Sequence, residues 1–370
     1  MENKNNGIRE PLFHITKRSN NALPAYKAWI IRAAAIILAL ITAGVLIVAL
    51  TGLNPIEVYQ EIFKGTFGSD LKFWVFLQKT AMLLCIALAV TPAFKMRFWN
   101  LGAQGQVLAG GLACAACMFY FKSTIPSGLL ILIMLVTSIL SGIVWAVIPA
   151  FFKSKWNTNE TLFTLMMNYV AIQLVSFCIA VWVPNGSGVL SILNPMTKCG
   201  WLPSIANEEY LLNILIVIAV TVFMYIYLKY SKHGYEISVV GESQNTARYI
   251  GIDVKKVIIR TVALSGAICG LSGFLLVAGT GHTISTGLDS GNGFTAVLVS
   301  WLAKFNPVVM VLTSMLIVFL QRGAGQIATA YQMDDSIADI VTGIILFFII
   351  GCEFFINYKI HFRSHSKKED

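Results

Sequence analysis

The sequence predicts an all-α membrane protein with about ten transmembrane helices. Of its 370 residues 56% are hydrophobic and only 12% are charged, and the mean hydropathy is +0.73. A soluble domain carries about 25% charged residues. Apolar runs of about 20 residues, the length that a helix needs to cross a bilayer, recur along the chain. The runs are continuous and do not alternate, so a transmembrane β-barrel is not expected.

Ten apolar segments predict the membrane helices. They lie at 27–52, 71–93, 99–121, 127–151, 160–183, 210–229, 257–280, 293–304, 307–326 and 337–357. The first run is too long for a signal-peptide core and shows no small-residue cleavage site, so we expect it to remain as the first span. The resulting organisation is a tail at 1–26, a transmembrane domain at 27–357 and a second tail at 358–370.

The distribution of basic residues predicts the orientation. With the N-terminus in the cytoplasm, 21 of the 27 Lys and Arg fall on the cytoplasmic side. Membrane proteins concentrate Lys and Arg there, so both termini are expected inside. The net charge of +9 follows from the same bias, because the sequence has no basic stripe with interleaved aromatic residues that would indicate nucleic-acid binding.

The eighth segment, 293–304, is too short for a plain span. Twelve residues of helix measure about 18 Å, whereas the bilayer core is about 30 Å thick. The segment follows an irregular, Gly-rich stretch at 287–293. We expect a half-helix that lines a pathway; the alternative is a tilted span that begins earlier. If segments two to five and seven to ten are related, they are inverted repeats, because the first group starts outside and the second inside.

Small residues in the seventh segment predict close helix packing. Gly266, Gly270 and Gly273 let neighbouring backbones approach. Cys114 and Cys117 have a redox-type spacing, but they lie within an apolar run, which favours a packing role over a disulfide.

The longest polar interruption, 230–256, is assigned to the cytoplasm and contains a predicted short helix. Ser243 can cap its N-terminus, Glu242 lies beside the positive end of its dipole, and Gly251 can end it. Two helical turns are not stable alone in water. We therefore expect this helix to dock against another surface.

The sequence offers no catalytic or metal-binding constellation. It has no Walker A motif and no His-Glu-x-x-His helix. No chain of Asp, Glu or His crosses the predicted spans, which argues against proton coupling. We predict a transport protein, not an enzyme, that binds no cofactor itself and takes its energy from a partner.

Three segments resemble the permease subunits of bacterial ABC importers for nucleosides and simple sugars. Residues 98–106 are similar to that family's Phe-Asn-Ile-Gly-Ala-Glu-Gly-Gln segment, and residues 159–169 to its Asn-Glu…Leu-Asn-Tyr segment. Residues 234–252 are similar to its Gly-x-Glu-Ile-Arg-Ala-Val-Gly-Glu…Ala-Arg-Tyr-Ala-Gly-Ile loop. This chain differs by an extra Trp99, by Gln104 where Glu is frequent and by Ser238 in place of Arg.

The resemblance implies a multi-subunit importer in a bacterial cell membrane that works by alternating access. The expected partners are a cytoplasmic ABC ATPase that binds ATP and Mg, a second similar permease, and an extracytoplasmic substrate-binding lipoprotein. The 234–252 loop is similar to the helix that receives ATPase motion. The residues expected to transmit it are Glu236, Gly241, Glu242, Ser243, Ala247, Arg248, Tyr249, Ile250, Gly251 and Ile252.

The cargo expected from the resemblance is a purine or pyrimidine nucleoside. The alternatives are the same machinery with a simple sugar such as ribose or galactose, and a channel or secondary carrier that acts alone. A neutral cargo needs hydrogen bonds and no countercharge, which amides supply. The candidate pathway residues are Asn100, Gln104, Gln106, Asn168 and Asn292. The amides of 98–106 fit interhelical hydrogen bonds equally well.

Overall fold

The structure is a computed structural model that describes residues 13–17, 25–52, 54–122, 124–183, 190–205, 208–332 and 335–362. Its helices are α1 Ala25–Thr51, α2 Pro55–Phe67, α3 Asp70–Lys95, α4 Ala103–Tyr120, α5 Ser127–Trp156, α6 Glu160–Trp182, α7 Leu211–Tyr230, α8 Lys232–Glu242, α9 Gln244–Tyr249, α10 Val254–Leu276, α11 Asn292–Leu302, α12 Pro307–Tyr331 and α13 Asp335–Asn357. Two strands, β1 Phe13–Lys17 and β2 Tyr358–Phe362, complete the described elements.

The predicted class, a helical membrane protein, is confirmed. A helix occupies each of the ten predicted segments. Six of the described helices are long and apolar enough to cross a membrane: α3, α5, α6, α7, α10 with its extension to Gly281, and α12. The third segment starts later than predicted, since 96–102 is non-helical and α4 begins only at Ala103. The Asn100 side chain favours an irregular turn there, because its oxygen accepts from the Gly102 N–H at 3.1 Å.

Three described features were not predicted from the sequence. Helix α2 is amphipathic, with 13 residues and a buried stripe that includes Val58 and Ile62. Helix α8 precedes the predicted short helix. Strands β1 and β2 pair antiparallel, from Phe13 opposite Phe362 to Lys17 opposite Tyr358. The sequence does not predict this pairing, because the two strands are far apart along the chain. Much of the two tails lies outside the described residues.

The chain forms two compact units, one of residues 1–66 with 320–370 and one of 67–319. In the first, α2 packs on the end of α12. A Cβ added at Gly323 would lie 2.4 Å from the Cγ2 atom of Ile62, and one added at Gly65 would lie 2.9 Å from the carbonyl oxygen of Arg322. Glycine is therefore required on both sides of this contact.

Helix α10 is the centre of the second unit, because α3, α4 and α5 all pack against it. A Cβ added at Gly266 would lie 2.4 Å from the carbonyl oxygen of Gly142, and one at Gly270 would lie 2.3 Å from that of Ser138. Gly273 would likewise meet the carbonyl oxygen of Val107 at 2.3 Å. The small residues thus lie where backbone meets backbone, which is how helices approach in a membrane without a hydrophobic driving force.

The C-terminal end of α10 continues into a π-helical turn, Val277–Gly281. The connecting segment 190–205 is hydrogen-bonded to this turn. The Leu202 N–H donates to the Ala278 carbonyl at 2.9 Å. The Trp201 and His282 rings stack with centroids 3.6 Å apart. Partial burial lowers the pKa of His282, with the nearby Lys198 acting in the same direction and Glu209 opposing.

Candidate functional site

Helix α8 turns back sharply from the end of α7. The Ser231 hydroxyl caps α8 by accepting from the Gly234 N–H at 2.9 Å, and it donates to the Tyr227 carbonyl at 2.6 Å. A Cβ at Gly234 would lie 2.5 Å from that same carbonyl oxygen. Serine and glycine together make this tight reversal possible.

Helix α9 has the boundaries that the sequence predicts. The Ser243 hydroxyl accepts from the Thr246 N–H at 3.2 Å. Gly251 follows the helix with φ of +83°, a conformation in which a side chain is strained. The Ile252 N–H donates to the Ala247 carbonyl at 2.9 Å and closes the C-terminal end.

Both helices are anchored to the membrane helices by apolar packing. Ile237, Val240 and Ala247 are buried in one cluster with Met96 and residues of α3, α5 and α10. An ion pair adds a polar tie, because the Arg260 guanidinium on α10 lies 2.7 Å from the Glu236 carboxylate. The α8–α9 segment is therefore packed against α3, α5 and α10 and joined to α10 by an ion pair.

The closest contact of that segment is between Gly241 and the end of α3. A Cβ at Gly241 would lie 2.1 Å from the carbonyl oxygen of Lys95. Glycine alone permits this distance, so the backbone of α8 lies directly against the end of α3. Sequence reasoning named Gly241 but gave no signal for Lys95 as its contact.

The opposite side of the segment is exposed at residues 242, 244–246 and 248–251. Tyr249 is 92% exposed and Ile250 is 56% exposed. Of the ten residues predicted to transmit ATPase motion, five are exposed at this tip: Glu242, Arg248, Tyr249, Ile250 and Gly251. The remaining five are buried or half-buried in the attachment: Glu236, Gly241, Ser243, Ala247 and Ile252. A tip with an aromatic and a β-branched side chain suits docking into a groove.

Asp253 joins this tip to α10. Its carboxylate accepts from the Lys256 N–H at 3.2 Å and caps the helix. That N–H holds the pKa of Asp253 below its ordinary value, since it stabilises the charged form.

Among the predicted pathway amides, Asn100 and Gln106 hold together the turn between α3 and α4. Asn100 is fully buried; its amide donates to the Ser265 hydroxyl at 3.1 Å. Its oxygen accepts from the Gly102 N–H at 3.1 Å and from the Gln106 amide at 3.2 Å. The Asn100 side chain thus links this turn to α10.

Asn168, on α6, also stabilises the turn between α3 and α4 by hydrogen bonds to its backbone. Its oxygen accepts from the Gly105 N–H at 2.8 Å, and its amide donates to the Leu101 carbonyl at 2.8 Å. Thr164, one turn earlier, accepts from the Leu101 N–H at 3.2 Å. These bonds satisfy backbone groups that have no helical partner at the start of α4.

Gln104 and Asn292 are the two predicted pathway residues with partly exposed side chains. They lie at the beginnings of α4 and α11, and these beginnings meet. A Cβ at Gly293 would lie 2.9 Å from the Gln104 backbone nitrogen. The N-terminal ends of α4 and α11 therefore lie against each other within the second unit.

Helix α11 has 11 residues, and aromatic rings line its exposed side. Trp301 is 47% exposed and stacks on Trp99, with centroids 5.6 Å apart. Phe294, two turns earlier, is 49% exposed. The buried side is tied to α3 by the hydrogen bond between the Thr91 and Ser300 hydroxyls at 2.9 Å. The sequence shows Trp99 as an extra residue, but nothing in it indicates its pairing with Trp301.

The described residues contain no group of three or more His, Cys, Asp or Glu arranged to hold a metal ion. The described cysteines are not joined to one another by disulfides. What the two regions offer is an exposed helical tip and a polar surface beside aromatic rings.

Comparison with known proteins gives a family match over residues 73–350. The family is described as branched-chain amino acid transport system / permease component. The match includes every described helix from the body of α3 to α12 and most of α13.

Three similar proteins match along nearly their whole length. The glucose ABC transporter permease protein TsgB13 of Haloferax volcanii is 26% identical over 91% of this chain and 91% of its own. The guanosine ABC transporter permease protein NupP of Bacillus subtilis is 28% identical over 85% and 91%. The nucleoside ABC transporter permease protein NupB of Lactococcus lactis is 27% identical over 83% and 86%.

Proposed function

The chain belongs to the branched-chain amino acid transport system / permease component family, and on that premise we propose that it moves a nucleoside inward as one membrane subunit of an ATP-driven importer. It is a transport subunit of the membrane and not an enzyme. ATP and Mg belong to a cytoplasmic ATPase partner.

The observation that carries the coupling part of the proposal is the exposed α8–α9 tip. Tyr249 and Ile250 project from a segment whose other side is fixed to α3 and α10. We assign the tip to a groove of the ATPase. Motion of the ATPase then reaches the end of α3 through Gly241, whose backbone lies against the Lys95 carbonyl.

The proposed topology has ten spans with both termini inside. Six helices meet the length and hydropathy needed to cross, and the bias of Lys and Arg supports the orientation. Helix α11 serves as the half-helix, because 11 residues measure about 16 Å. The inverted relation of α3–α6 to α10–α13 is part of the proposal.

A nucleoside is the favoured cargo. Two of the three similar proteins are named as guanosine and nucleoside permeases. Gln104 and Asn292, with amide groups partly exposed beside the rings of α11, supply donors and acceptors next to a flat apolar surface. A nucleoside combines a polar sugar with a planar base, so it matches both.

A simple sugar is the second candidate cargo, because one of the three proteins compared above is named as a glucose permease. Competition separates the two. Cells that express the full transporter should take up labelled guanosine, and excess adenosine or uridine should lower that uptake. Competition by ribose, galactose or glucose instead would assign the chain to sugars.

The partners are an ABC ATPase, a second similar permease and an extracytoplasmic binding lipoprotein. A Gly251→Pro substitution tests the ATPase contact, since proline cannot adopt the φ of +83° found at this position. We expect uptake to be lost while membrane insertion is retained. Normal uptake together with normal cargo-stimulated ATP hydrolysis would exclude the α8–α9 tip from coupling.

A further inference from the structure

One oxygen of the buried Asp289 carboxylate, three residues before α11, lacks a hydrogen bond of ordinary geometry within the described residues. Asp289 is 1% exposed. Its Oδ2 atom accepts from the Gly293 N–H at 3.1 Å, whereas Oδ1 makes no hydrogen bond of ordinary geometry within the part of the chain that the structure describes. Burial raises the pKa of Asp289, and the N–H groups of Gly293 and Gly291 and the Gln104 side chain oppose that rise. Leaving a charged oxygen buried and unpaired costs more than leaving a neutral one. The second oxygen therefore needs an explanation.

Helix capping explains only half of the side chain. Asn is as good an N-terminal cap as Asp, and one oxygen suffices to accept from the Gly293 N–H. The location of the carboxylate adds to the question, because Gly293 lies against the Gln104 backbone, where two helices begin. Both N-termini favour negative charge at this point.

The groups around Asp289 form a set with distinct chemistry. Asn292 and Gln104 contribute amides that are partly exposed. Phe294 follows directly on α11 and is 49% exposed. A carboxylate just before α11, two amides and a half-exposed aromatic ring thus lie at the beginnings of two helices. Lipid could satisfy the ring, but it offers no hydrogen-bond donor to the carboxylate.

We propose that this cluster is a ribonucleoside subsite, in which Asp289 accepts hydrogen bonds from the ribose hydroxyls and Phe294 stacks on the base. An ionised carboxylate only accepts, and neighbouring hydroxyls are donors at the correct spacing for its two oxygens. Aromatic stacking of a base is tolerant of base identity. Because Asp289 is 1% exposed in this structure, the proposal includes a separation of α4 and α11 at the Gln104–Gly293 contact during transport. The proposal rests on the proposed nucleoside import and adds the residues that recognise the cargo.

An Asp289→Asn substitution in the assembled importer tests the carboxylate. Asparagine keeps the cap to Gly293 but replaces one acceptor oxygen by a donor. With the binding protein loaded with guanosine, the import rate into proteoliposomes should fall about tenfold, the loss expected for one charge-assisted hydrogen bond. Asp70→Asn, at an exposed position in the first turn of α3, is the matched control and should import at the wild-type rate.

Removing one ribose hydroxyl from the cargo tests whether Asp289 recognises the ribose. In the wild type, 2′-deoxyguanosine and 3′-deoxyguanosine should be imported more slowly than guanosine from equally saturated binding protein. In Asp289→Asn this difference should shrink. Wild-type rates and an unchanged preference in the variant would overturn the assignment of Asp289.

A second variant and a labelling experiment remain informative if Asp289→Asn does not assemble. Phe294→Leu should slow import of guanosine more than that of uridine, because a purine stacks over a larger area, whereas Phe294→Tyr should behave as the wild type. Irradiation of the wild-type complex with 8-azidoguanosine should label the 288–295 peptide. Labelling confined to other peptides would refute the subsite.

Failure of this proposal is distinguishable from failure of the proposed function. A wild-type complex that imports guanosine while the Asp289 and Phe294 variants are unaffected removes the subsite and leaves the nucleoside importer in place. A wild-type complex that imports glucose or ribose and no nucleoside removes both.

Discussion

Replacing Gly241 by alanine tests how force enters the membrane helices. The added Cβ would lie 2.1 Å from the carbonyl oxygen of Lys95, whereas ordinary contact begins at 3.4 Å. The obstacle is backbone, so it cannot rotate away. Helix α8 and the end of α3 must therefore separate by about 1.3 Å, the difference between those two distances.

The cost of this separation can be estimated from overpacking. Inserting a methyl group into a tight contact destabilises a protein by about 1–3 kcal/mol. If the strain appears in the coupled state, the coupling free energy falls by a similar amount, and about 1.4 kcal/mol corresponds to tenfold. We expect import per ATP hydrolysed to fall about tenfold while basal ATP hydrolysis continues.

The assay is guanosine uptake and phosphate release by the same proteoliposomes. Co-purification of the ATPase with the Gly241→Ala complex shows that assembly is retained. Gly325→Ala is the matched control, because its Cβ would meet nothing within 4 Å, and alanine favours the helix. Wild-type uptake per ATP in Gly241→Ala would refute transmission through this contact.

Three further predictions concern the scaffold. Gly270→Ala should lower the melting temperature of the detergent-solubilised protein, by the equivalent of about 1–3 kcal/mol, because the added Cβ would lie 2.3 Å from the Ser138 carbonyl oxygen. Gly128→Ala is the control and should leave the melting temperature unchanged, because its Cβ would meet nothing within 4 Å. Asn168→Ala should destabilise by about 2 kcal/mol or more, because it leaves the Leu101 carbonyl and the Gly105 N–H without their present partner; an unchanged melting temperature would contradict this. The pKa of His282 is lowered by burial, so the folded state binds its proton less readily than the unfolded one, and stability present above pH about 6.5 should be lost as pH falls. The protection of residues 190–205 against hydrogen exchange, corrected for the intrinsic exchange rate at each pH, should therefore fall on acidification. His282→Gln should remove the part of that fall that comes from this titration.

The membrane helices were predictable because hydropathy and the positive-inside bias act over whole segments. Each of the ten predicted segments holds a helix. The cap at Ser243 and the left-handed Gly251 were also predictable, since capping depends on residues that are neighbours in sequence. Boundaries set by local backbone chemistry can be read from one sequence.

Contacts between distant residues could not be predicted in this way. The pairing of Trp99 with Trp301 and the meeting of Gln104 with Gly293 join positions about 200 residues apart, and no periodicity records them. The strand pair of β1 and β2 was missed for the same reason. Helix α8 was missed because its short amphipathic pattern is interrupted by Gly234, which the structure uses for the sharp turn below α7.

The amides illustrate a limit of residue chemistry. Polar side chains in an apolar helix predict either a route for solute or hydrogen bonds to the protein, and the sequence does not separate them. In the structure Asn100, Gln106 and Asn168 are buried and bond to neighbouring groups, while Gln104 and Asn292 are partly exposed. The roles of all five in passage of the cargo remain predictions, and the geometry favours the last two.

The most direct test of the central claim is ATP-dependent accumulation of labelled guanosine by the reconstituted complex of this chain with its ATPase, second permease and binding protein. We predict that accumulation requires ATP and the intact α8–α9 tip, and that nucleosides compete while glucose and ribose do not. Accumulation of glucose with no uptake of nucleosides would contradict the assignment of the cargo. Passage of guanosine through this chain alone, without ATPase or ATP, would contradict the importer itself.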